Sequence, residues 1–209
     1  MPYPRVLKAT TRRVAIGVLT CVALGAAYLG AIQLTGNFAT VVPHEVYRSA
    51  QPTPKLISEY VAAHGIRTII NLRGANMGNA WYDAEISEAH RLNVTHLDFR
   101  MSARRELSLP EVRALIHLME TAEKPILIHC QAGSDRTGLA SALYLAAIKK
   151  ADEAEAEGQL SIRYGHFSLP FIPEYAMDRT FEAMEPELGF HSHNQELALS
   201  KSHARPFDH

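Results

Sequence analysis

The chain has 209 residues, 47% of them hydrophobic, and its 21 Lys+Arg and 22 Asp+Glu residues leave a formal net charge of −1 at pH 7. This length is enough for one well-buried domain with short extensions. Four of the basic residues precede residue 14, so the rest of the chain is acidic. An acidic domain excludes nucleic acid as an expected partner.

The N-terminal region joins a basic segment, residues 1–13, to an uncharged apolar run, residues 14–34. The run is long enough to span a bilayer core, and we predict that it is a transmembrane signal anchor. The positive-inside rule then places the remaining chain on the extracytoplasmic side, which is the periplasm in a bacterium. A cleaved signal peptide is the alternative, because small residues occur within the run.

Strand and helix patterns alternate after a linker expected at residues 35–43. Residues 41–48 are predicted as an early strand and turn. Thr53 and Pro54 begin a helix that ends at Gly65, and Ser108 with Glu111 forms the capping box of another. The predicted strands are 66–72, 94–99 and 125–128, and the other helices are 80–91, 110–120 and 137–149. This order predicts an α/β fold with a mostly parallel central sheet flanked by helices.

The C-terminal third is predicted to cover this sheet. Residues 151–157 form an acidic helical run, and segments 159–167 and 177–185 are expected to complete a helical cover. The folded domain is therefore placed at residues 44–187. Residues 188–209 are polar and rich in His and Ser, which predicts a disordered tail.

Residues 129–138, HCQAGSDRTG, connect a short apolar strand to an alanine-rich helix. Cys130 therefore sits at the carboxyl end of a strand, facing backbone N–H groups and the positive end of a helix dipole, where α/β proteins bind anions. This environment is expected to lower the pKa of the thiol and provide a nucleophilic thiolate. Arg136 can grip two phosphate oxygens with its planar guanidinium. The predicted phosphate-binding residues are Gln131, Ala132, Gly133, Ser134, Asp135 and Arg136.

Two other interpretations of Cys130 are a buried structural thiol and a metal ligand. A buried cysteine would not call for Arg136 and two glycines at these positions. Zinc needs three or four ligands, and the other cysteine, Cys21, lies in the apolar run. We therefore predict a catalytic cysteine and no metal or other cofactor.

The sequence Cys-x-x-x-x-x-Arg-Thr-Gly, preceded by His, resembles the signature of the cysteine-dependent protein tyrosine and dual-specificity phosphatases. Residues 47–52, YRSAQP, and 69–74, IINLRG, also resemble the opening of compact bacterial dual-specificity-like members. The resemblance covers roughly residues 44–185. It implies phosphomonoester hydrolysis through a cysteinyl-phosphate, with the Thr137 hydroxyl supporting the Cys130 sulfur as it leaves.

The resemblance also implies a carboxylic acid that protonates the leaving oxygen, and three residues compete for this role. Asp98 precedes Cys130 by the separation that the family shows, but it lies in an alternating, strand-like segment. Glu106 precedes a helix, where an acid-bearing loop is expected. Asp135 lies within residues 129–138 themselves, which we call the nucleophile loop. Each residue also has a purely structural interpretation. Asp98 could form a salt bridge at a strand end, Glu106 could pair with an arginine just before the helix, and Asp135 could organise the loop.

The sequence leaves the substrate open between a phosphorylated protein and a phosphoinositide-like or other phospholipid headgroup. A different interpretation is a catalytically silent module that docks phosphorylated ligands. A third is a membrane-tethered scaffold in which the phosphatase fold is only structural.

Overall fold

The computed structural model describes residues 3–190, with side chains described from residue 12 onward. One five-stranded sheet has the order β1-β2-β5-β3-β4. Only the β1–β2 pairing is antiparallel. The predicted α/β fold with a mostly parallel sheet is therefore confirmed. The strands are Ala39–Val42 (β1), Val46–Ser49 (β2), Thr68–Asn71 (β3), Thr95–Asp98 (β4) and Ile126–His129 (β5).

Seven α-helices accompany the sheet in the described part of the chain, and the fifth continues directly into a π-helical turn, Tyr144–Lys149. Single 3₁₀ turns occupy Ile162–Tyr164 and Pro173–Tyr175. The helices are Tyr3–Leu34 (α1), Pro54–His64 (α2), Ala80–Arg91 (α3), Leu109–Thr121 (α4), Asp135–Leu143 (α5), Glu153–Glu157 (α6) and Ala176–Leu188 (α7).

Local signals place the ends of α2 and α4. The Thr53 side chain accepts a hydrogen bond from the Leu56 N–H, and Gly65 closes α2 in the left-handed conformation at φ 66°. At the start of α4, Glu111 accepts from the Ser108 backbone N–H at 2.8 Å. Both helices therefore begin where the sequence predicts, within one residue.

Strand β5 lies in the middle of the sheet and is covered on both faces. Ile128 belongs to a core cluster with Leu115 and Phe181, from α4 and α7. Leu127 points the opposite way, into a second cluster with Ile57 from α2. Because both faces are apolar, the loop after β5 is fixed at the carboxyl edge of the sheet, where ligands of α/β proteins bind.

Three expectations about the chain's organisation differ from the structure. The expected linker at 35–43 contains β1, because residues 39–42 pair with β2 and extend the sheet. Residues 159–167 are not helical apart from one 3₁₀ turn, since Gly165 takes φ 82° and ends it. Helix α1 begins at Tyr3, so the basic segment continues the apolar helix. The predicted tail lies outside the described residues from 191 onward.

Residues Arg12–Leu34 of α1 form one helix that is long and apolar enough to cross a membrane. An N-terminal signal sequence can meet the same criteria of length and apolar composition.

Candidate active site

The segment after β5 forms a tight loop around the Cys130 sulfur. Cys130 is 2% exposed, and the Gly133 N–H donates a hydrogen bond to its Sγ at 3.3 Å. Helix α5 begins at Asp135 and directs its N-terminus at this loop. A donated N–H and a helix N-terminus both stabilise negative charge at this position.

Gly133 and Gly138 allow this loop to pack closely. Gly133 has φ 74°, and a Cβ at this position would lie 2.6 Å from the Ala50 nitrogen. A Cβ at Gly138 would lie 2.9 Å from the Gln159 carbonyl oxygen. Any side chain at either position would push away the neighbouring backbone.

Arg136 and Thr137 carry polar atoms that are buried in the loop without a hydrogen-bond partner among the described residues. These atoms are Arg136 Nε and Thr137 Oγ1. The Arg136 Nη1 makes one long contact, at 3.5 Å, with the Met101 carbonyl oxygen. The expected Thr137–Cys130 hydrogen bond is not formed in this structure, where Gly133 contacts the sulfur instead. Unpaired donors next to a buried cysteine suit an anionic ligand.

Arg48, near the end of β2, binds the backbone of the nucleophile loop. It is fully buried, and its guanidinium donates to the carbonyl oxygens of Gly133 at 2.7 Å and Gln159 at 2.9 Å. The guanidinium also stacks on the Tyr164 ring, 3.8 Å from its centroid. Burial lowers the pKa of Arg48 to about 10, so it is charged at neutral pH. Arg48 therefore ties the loop to the segment that follows α6.

A buried network orients His129, the residue before Cys130. Glu85 of α3 accepts hydrogen bonds at the same oxygen from His129 Nε2, at 2.9 Å, and from His96 Nε2, at 2.7 Å. Its other oxygen accepts from Gln51. Burial alone would raise the pKa of Glu85, but the two histidines outweigh it and hold the pKa at about 2.

The same three side chains, Glu85, His96 and His129, are also arranged so that they could hold a metal ion. Their ligand atoms already satisfy one another as hydrogen-bond partners. The network therefore has a role without an ion, namely fixing the β5 end that presents Cys130.

Asp98 lies at the carboxyl end of β4, at the same edge of the sheet as Cys130. In register, Asp98 and His129 flank Asn71 on opposite sides, which separates them by about two strand spacings, or roughly 10 Å. The carboxylate accepts from Asn71 Nδ2 at 2.8 Å and from the Tyr82 hydroxyl at 2.5 Å. Burial and this bond to Asp98 raise the pKa of Tyr82 to about 12.

The other two candidate acids have different surroundings. Glu106 is half exposed and accepts from Arg179 Nε of α7 at 2.5 Å. Asp135, in the first turn of α5, pairs with His166 Nδ1 at 2.8 Å. The structure thus places Asp135 in the nucleophile loop, as predicted, and Glu106 in a surface ion pair.

His166 bridges the nucleophile loop to α7. Its side chain is completely buried, and its second nitrogen, Nε2, lies 2.8 Å from Asp178. A carboxylate has no proton to donate, so both ring nitrogens must carry one. Burial lowers the pKa of His166, but the hydrogen bonds to Asp135 and Asp178 outweigh it and raise the pKa to about 9.

The end of α1 also contacts the loop. Gln33 Nε2 and Asn37 Nδ2 both donate to the Ala132 carbonyl oxygen at 3.0 Å. Asn37 donates in addition to the Tyr164 carbonyl oxygen at 2.9 Å. Residues at the end of the candidate anchor and just after it therefore help to set the shape of the nucleophile loop.

The structure brings Cys130, Arg136, Thr137 and Asp135 together in one loop. It adds supporting residues that the sequence analysis did not identify, and these are Arg48, Glu85, His96, His166, Gln33 and Asn37. Arg48 lies in residues 47–52, which carry part of the family resemblance, and no other sequence pattern points to this residue. The pairing of Asp135 with His166 joins residues 31 positions apart and has no local sequence signature.

A family model described as "DSP-PTPase phosphatase fused to NAD+ Kinase" matches residues 36–169, more than half of the chain. The chain belongs to this family and is a cysteine-dependent phosphatase of the tyrosine/dual-specificity type. The expected family membership and enzyme class are confirmed.

Solved structures show the same fold. TpbA from P. aeruginosa is 23% identical, with a TM-score of 0.54 over 72% of this chain and 91% of its own. The catalytic domain of SIW14 from S. cerevisiae is 17% identical, with a TM-score of 0.54 over 81% and 94%. PTPMT1 is 15% identical, with a TM-score of 0.55 over 73% and 98%. At these identities the likeness concerns the fold alone.

Proposed function

We propose that this phosphatase hydrolyses phosphomonoesters through a cysteinyl-phosphate on Cys130. The observation that carries the proposal is the buried sulfur, which accepts an N–H bond inside a loop whose Arg136 Nε has no partner among the described residues. Thiolate and guanidinium are the two groups that this chemistry needs.

In the first step, the Cys130 thiolate attacks phosphorus, an S–P bond forms, and the bond to the leaving oxygen breaks. Arg136 and the N–H groups of residues 131–136 stabilise the charge on the equatorial oxygens. In the second step, water attacks phosphorus and passes a proton to the carboxylate that the first step left, and the S–P bond breaks to release inorganic phosphate and the thiolate. Thr137 Oγ1 is buried in the same loop and supports the departing sulfur.

A carboxylic acid delivers a proton to the leaving oxygen in the first step. We place Asp98 first, because Asn71 and Tyr82 hold it at the same sheet edge as Cys130. Glu106 and Asp135 are the alternatives. Asp135 is nearest in the chain, and His166 holds it in place.

The substrate is a phosphorylated protein or a phosphoinositide-like lipid. One structural neighbour, a TpbA variant, was solved in complex with phosphotyrosine. At the carboxyl edge of the sheet, Arg73 stacks on Trp81 at 3.5 Å and donates to Gln51 at 2.8 Å, which adds positive charge near the loop. These features support a dianionic phosphomonoester.

Helix α1 anchors this enzyme in a membrane, with the catalytic domain on the extracytoplasmic side. The apolar stretch Arg12–Leu34 and the basic residues before it support this orientation.

Acid quenching during turnover tests the cysteinyl-phosphate. Full-length protein is mixed with a phosphotyrosine peptide or with a phosphoinositide in vesicles. The quenched enzyme is then digested, and mass spectrometry identifies which peptide of the enzyme carries phosphate. We expect phosphate on the peptide that contains Cys130 with at least one substrate. Steady turnover without any phosphate on Cys130 would contradict the mechanism.

A further inference from the structure

The segment between α6 and α7 carries four large apolar side chains on the protein surface. Ile162 is 61% exposed and Phe171 is 81% exposed, with Phe167 and Leu169 at 38% and 40%. We call these four residues the apolar ridge. Exposed apolar side chains this close together mark an interaction surface.

Two residues of the apolar ridge, Ile162 and Phe167, lie beside the C-terminal half of α1. Ile162 and Phe167 form one wall of an open, apolar groove, and α1 forms the other with residues that include Val22 and Tyr28. The Tyr28 hydroxyl donates to the Arg163 carbonyl oxygen at 2.8 Å. A Cβ on Gly165 would lie 3.2 Å from Ile32 Cδ1, so the two segments are in close contact.

This contact fixes the depth of the ridge relative to the anchor. A bilayer core of about 30 Å needs about 20 helical residues. The 15 residues from Val14 to Tyr28 span only about 22 Å. The hydrocarbon region must therefore extend beyond Tyr28 toward Leu34. Ile162 and Phe167 lie alongside residues 22–29 of the helix, which fall inside that region.

The composition of the segment suits this position. Residues 158–173 contain no Asp or Glu, and Arg163 is their one Lys or Arg. Arg163 is exposed, lies 5.5 Å from the centroid of the Tyr164 ring, and pairs with no carboxylate in the described part of the chain. The Tyr164 and His166 N–H groups both bond to the Ser161 carbonyl oxygen, so the turn satisfies part of its own backbone. Apolar side chains next to a basic residue are the combination found in segments that lie in the bilayer interface.

We propose that the apolar ridge inserts into the same bilayer as α1 and holds the nucleophile loop at the membrane surface. Gln33 and Asn37 connect the end of α1 to the Ala132 carbonyl, so the depth of the helix also sets the position of the loop. The enzyme then acts on phosphomonoesters carried at that surface. This inference rests on the proposed anchor and deepens the proposed function.

Tryptophan fluorescence in lipid nanodiscs tests the insertion. The chain has one tryptophan, so Trp81→Phe gives a silent background for single tryptophans. Full-length variants with Ile162→Trp or Phe171→Trp are compared in nanodiscs of phosphatidylcholine with and without brominated acyl chains. The matched controls are Val22→Trp within α1 and Glu123→Trp at the opposite, amino edge of the sheet.

We expect brominated lipid to remove most of the emission at positions 162, 171 and 22, and to leave position 123 unchanged. Quenching at position 22 without quenching at 162 and 171 would overturn the insertion of the ridge. No quenching at any position would overturn both the anchor and the ridge.

Phosphate release from para-nitrophenyl phosphate by full-length wild-type protein in the same nanodiscs separates this inference from the proposed function. Quenching at 162 and 171 beside a wild type that releases no phosphate would support the ridge while contradicting the function. In addition, Phe171→Glu is expected to reduce hydrolysis of a vesicle-borne phosphoinositide severalfold while leaving para-nitrophenyl phosphate turnover unchanged. Equal effects on both substrates would contradict surface positioning.

Discussion

Arg136 lies in the nucleophile loop with one buried nitrogen that has no partner in the described residues. Lysine would keep the charge but lose the planar fork that grips two phosphate oxygens. We expect Arg136→Lys to lower kcat for para-nitrophenyl phosphate by about 10²–10³-fold, the usual loss of one preorganised donor. Arg113→Lys, in an exposed pair with Glu187, is the control. A kcat close to that of wild type would contradict the role of the guanidinium.

The three candidate acids can be separated by the basicity of the leaving group. Para-nitrophenolate leaves without help, whereas phenolate needs a proton. We expect Asp98→Asn to lower kcat for phenyl phosphate much more than for para-nitrophenyl phosphate. Glu106→Gln and Asp135→Asn should lower both rates equally, if at all. The selective loss appearing in one of these two variants instead would move the role to that residue.

His166 couples the stability of the domain to pH. Its pKa is raised from 6.5 to about 9 in the folded protein by Asp135 and Asp178. The folded state therefore binds the proton more tightly, so this stabilisation is fully present below pH 6.5 and is lost as pH rises through 9. It amounts to at most about 3 kcal/mol.

Urea unfolding of the full chain in detergent, followed by near-ultraviolet circular dichroism between pH 6 and pH 10, measures this effect. Wild type should lose stability across this range, and His166→Gln should show a flatter profile. Parallel profiles for the two proteins would contradict the assignment of a charged His166.

At the scale of the elements, the nucleophile loop depends on its approach to the end of β2. Alanine at Gly133 would be strained by the positive φ and would also place a Cβ 2.8 Å from the Ser49 carbonyl oxygen. Gly78 has a similar φ of 82° but open space around it. We expect Gly78→Ala to cost about 1–2 kcal/mol of stability.

Gly133→Ala should cost more and should also abolish phosphate release, because the loop must move away from β2. Thermal unfolding and para-nitrophenyl phosphate turnover of both variants measure the difference. Full activity in Gly133→Ala would contradict a loop fixed by this contact.

The helices with local signals were predictable from the sequence, and the non-local contacts were not. Thr53 and Gly65 mark both ends of α2, so residues within one turn carry the necessary information. The bonds from Arg48 to Gln159, by contrast, join residues 111 positions apart. Segment 159–167, which the sequence predicts as helical, contains one 3₁₀ turn that ends at Gly165, and its Tyr164 packs on the distant Arg48.

The residues of the candidate site also divide into those that the sequence predicts and those that it does not. Cys130 and Arg136 lie in one continuous loop, and strand, loop and helix follow each other in the chain. The general acid comes from a different part of the fold, where Asn71 and Tyr82 reach Asp98 from β3 and α3. No pattern within residues 94–99 contains that information.

At the scale of the whole molecule, three segments meet around the side chain of Asn37, just after α1. The Ala132 carbonyl oxygen accepts from Gln33 and Asn37, and Asn37 also reaches the Tyr164 carbonyl. The candidate anchor, the nucleophile loop and the segment that bears the apolar ridge are therefore joined directly. The linker expected from the sequence would have separated the anchor from catalysis, whereas the structure connects them.

The most direct test of the central claim is phosphate release by the full chain in detergent, with reducing agent and a metal chelator, from para-nitrophenyl phosphate. Wild type and Cys21→Ser should release phosphate at the same rate, and Cys130→Ser should release none while remaining folded. Retained activity in Cys130→Ser would contradict a cysteine nucleophile. A folded wild type that releases no phosphate from this substrate, from phosphopeptides or from phosphoinositides would contradict catalysis and favour the phosphate-docking module.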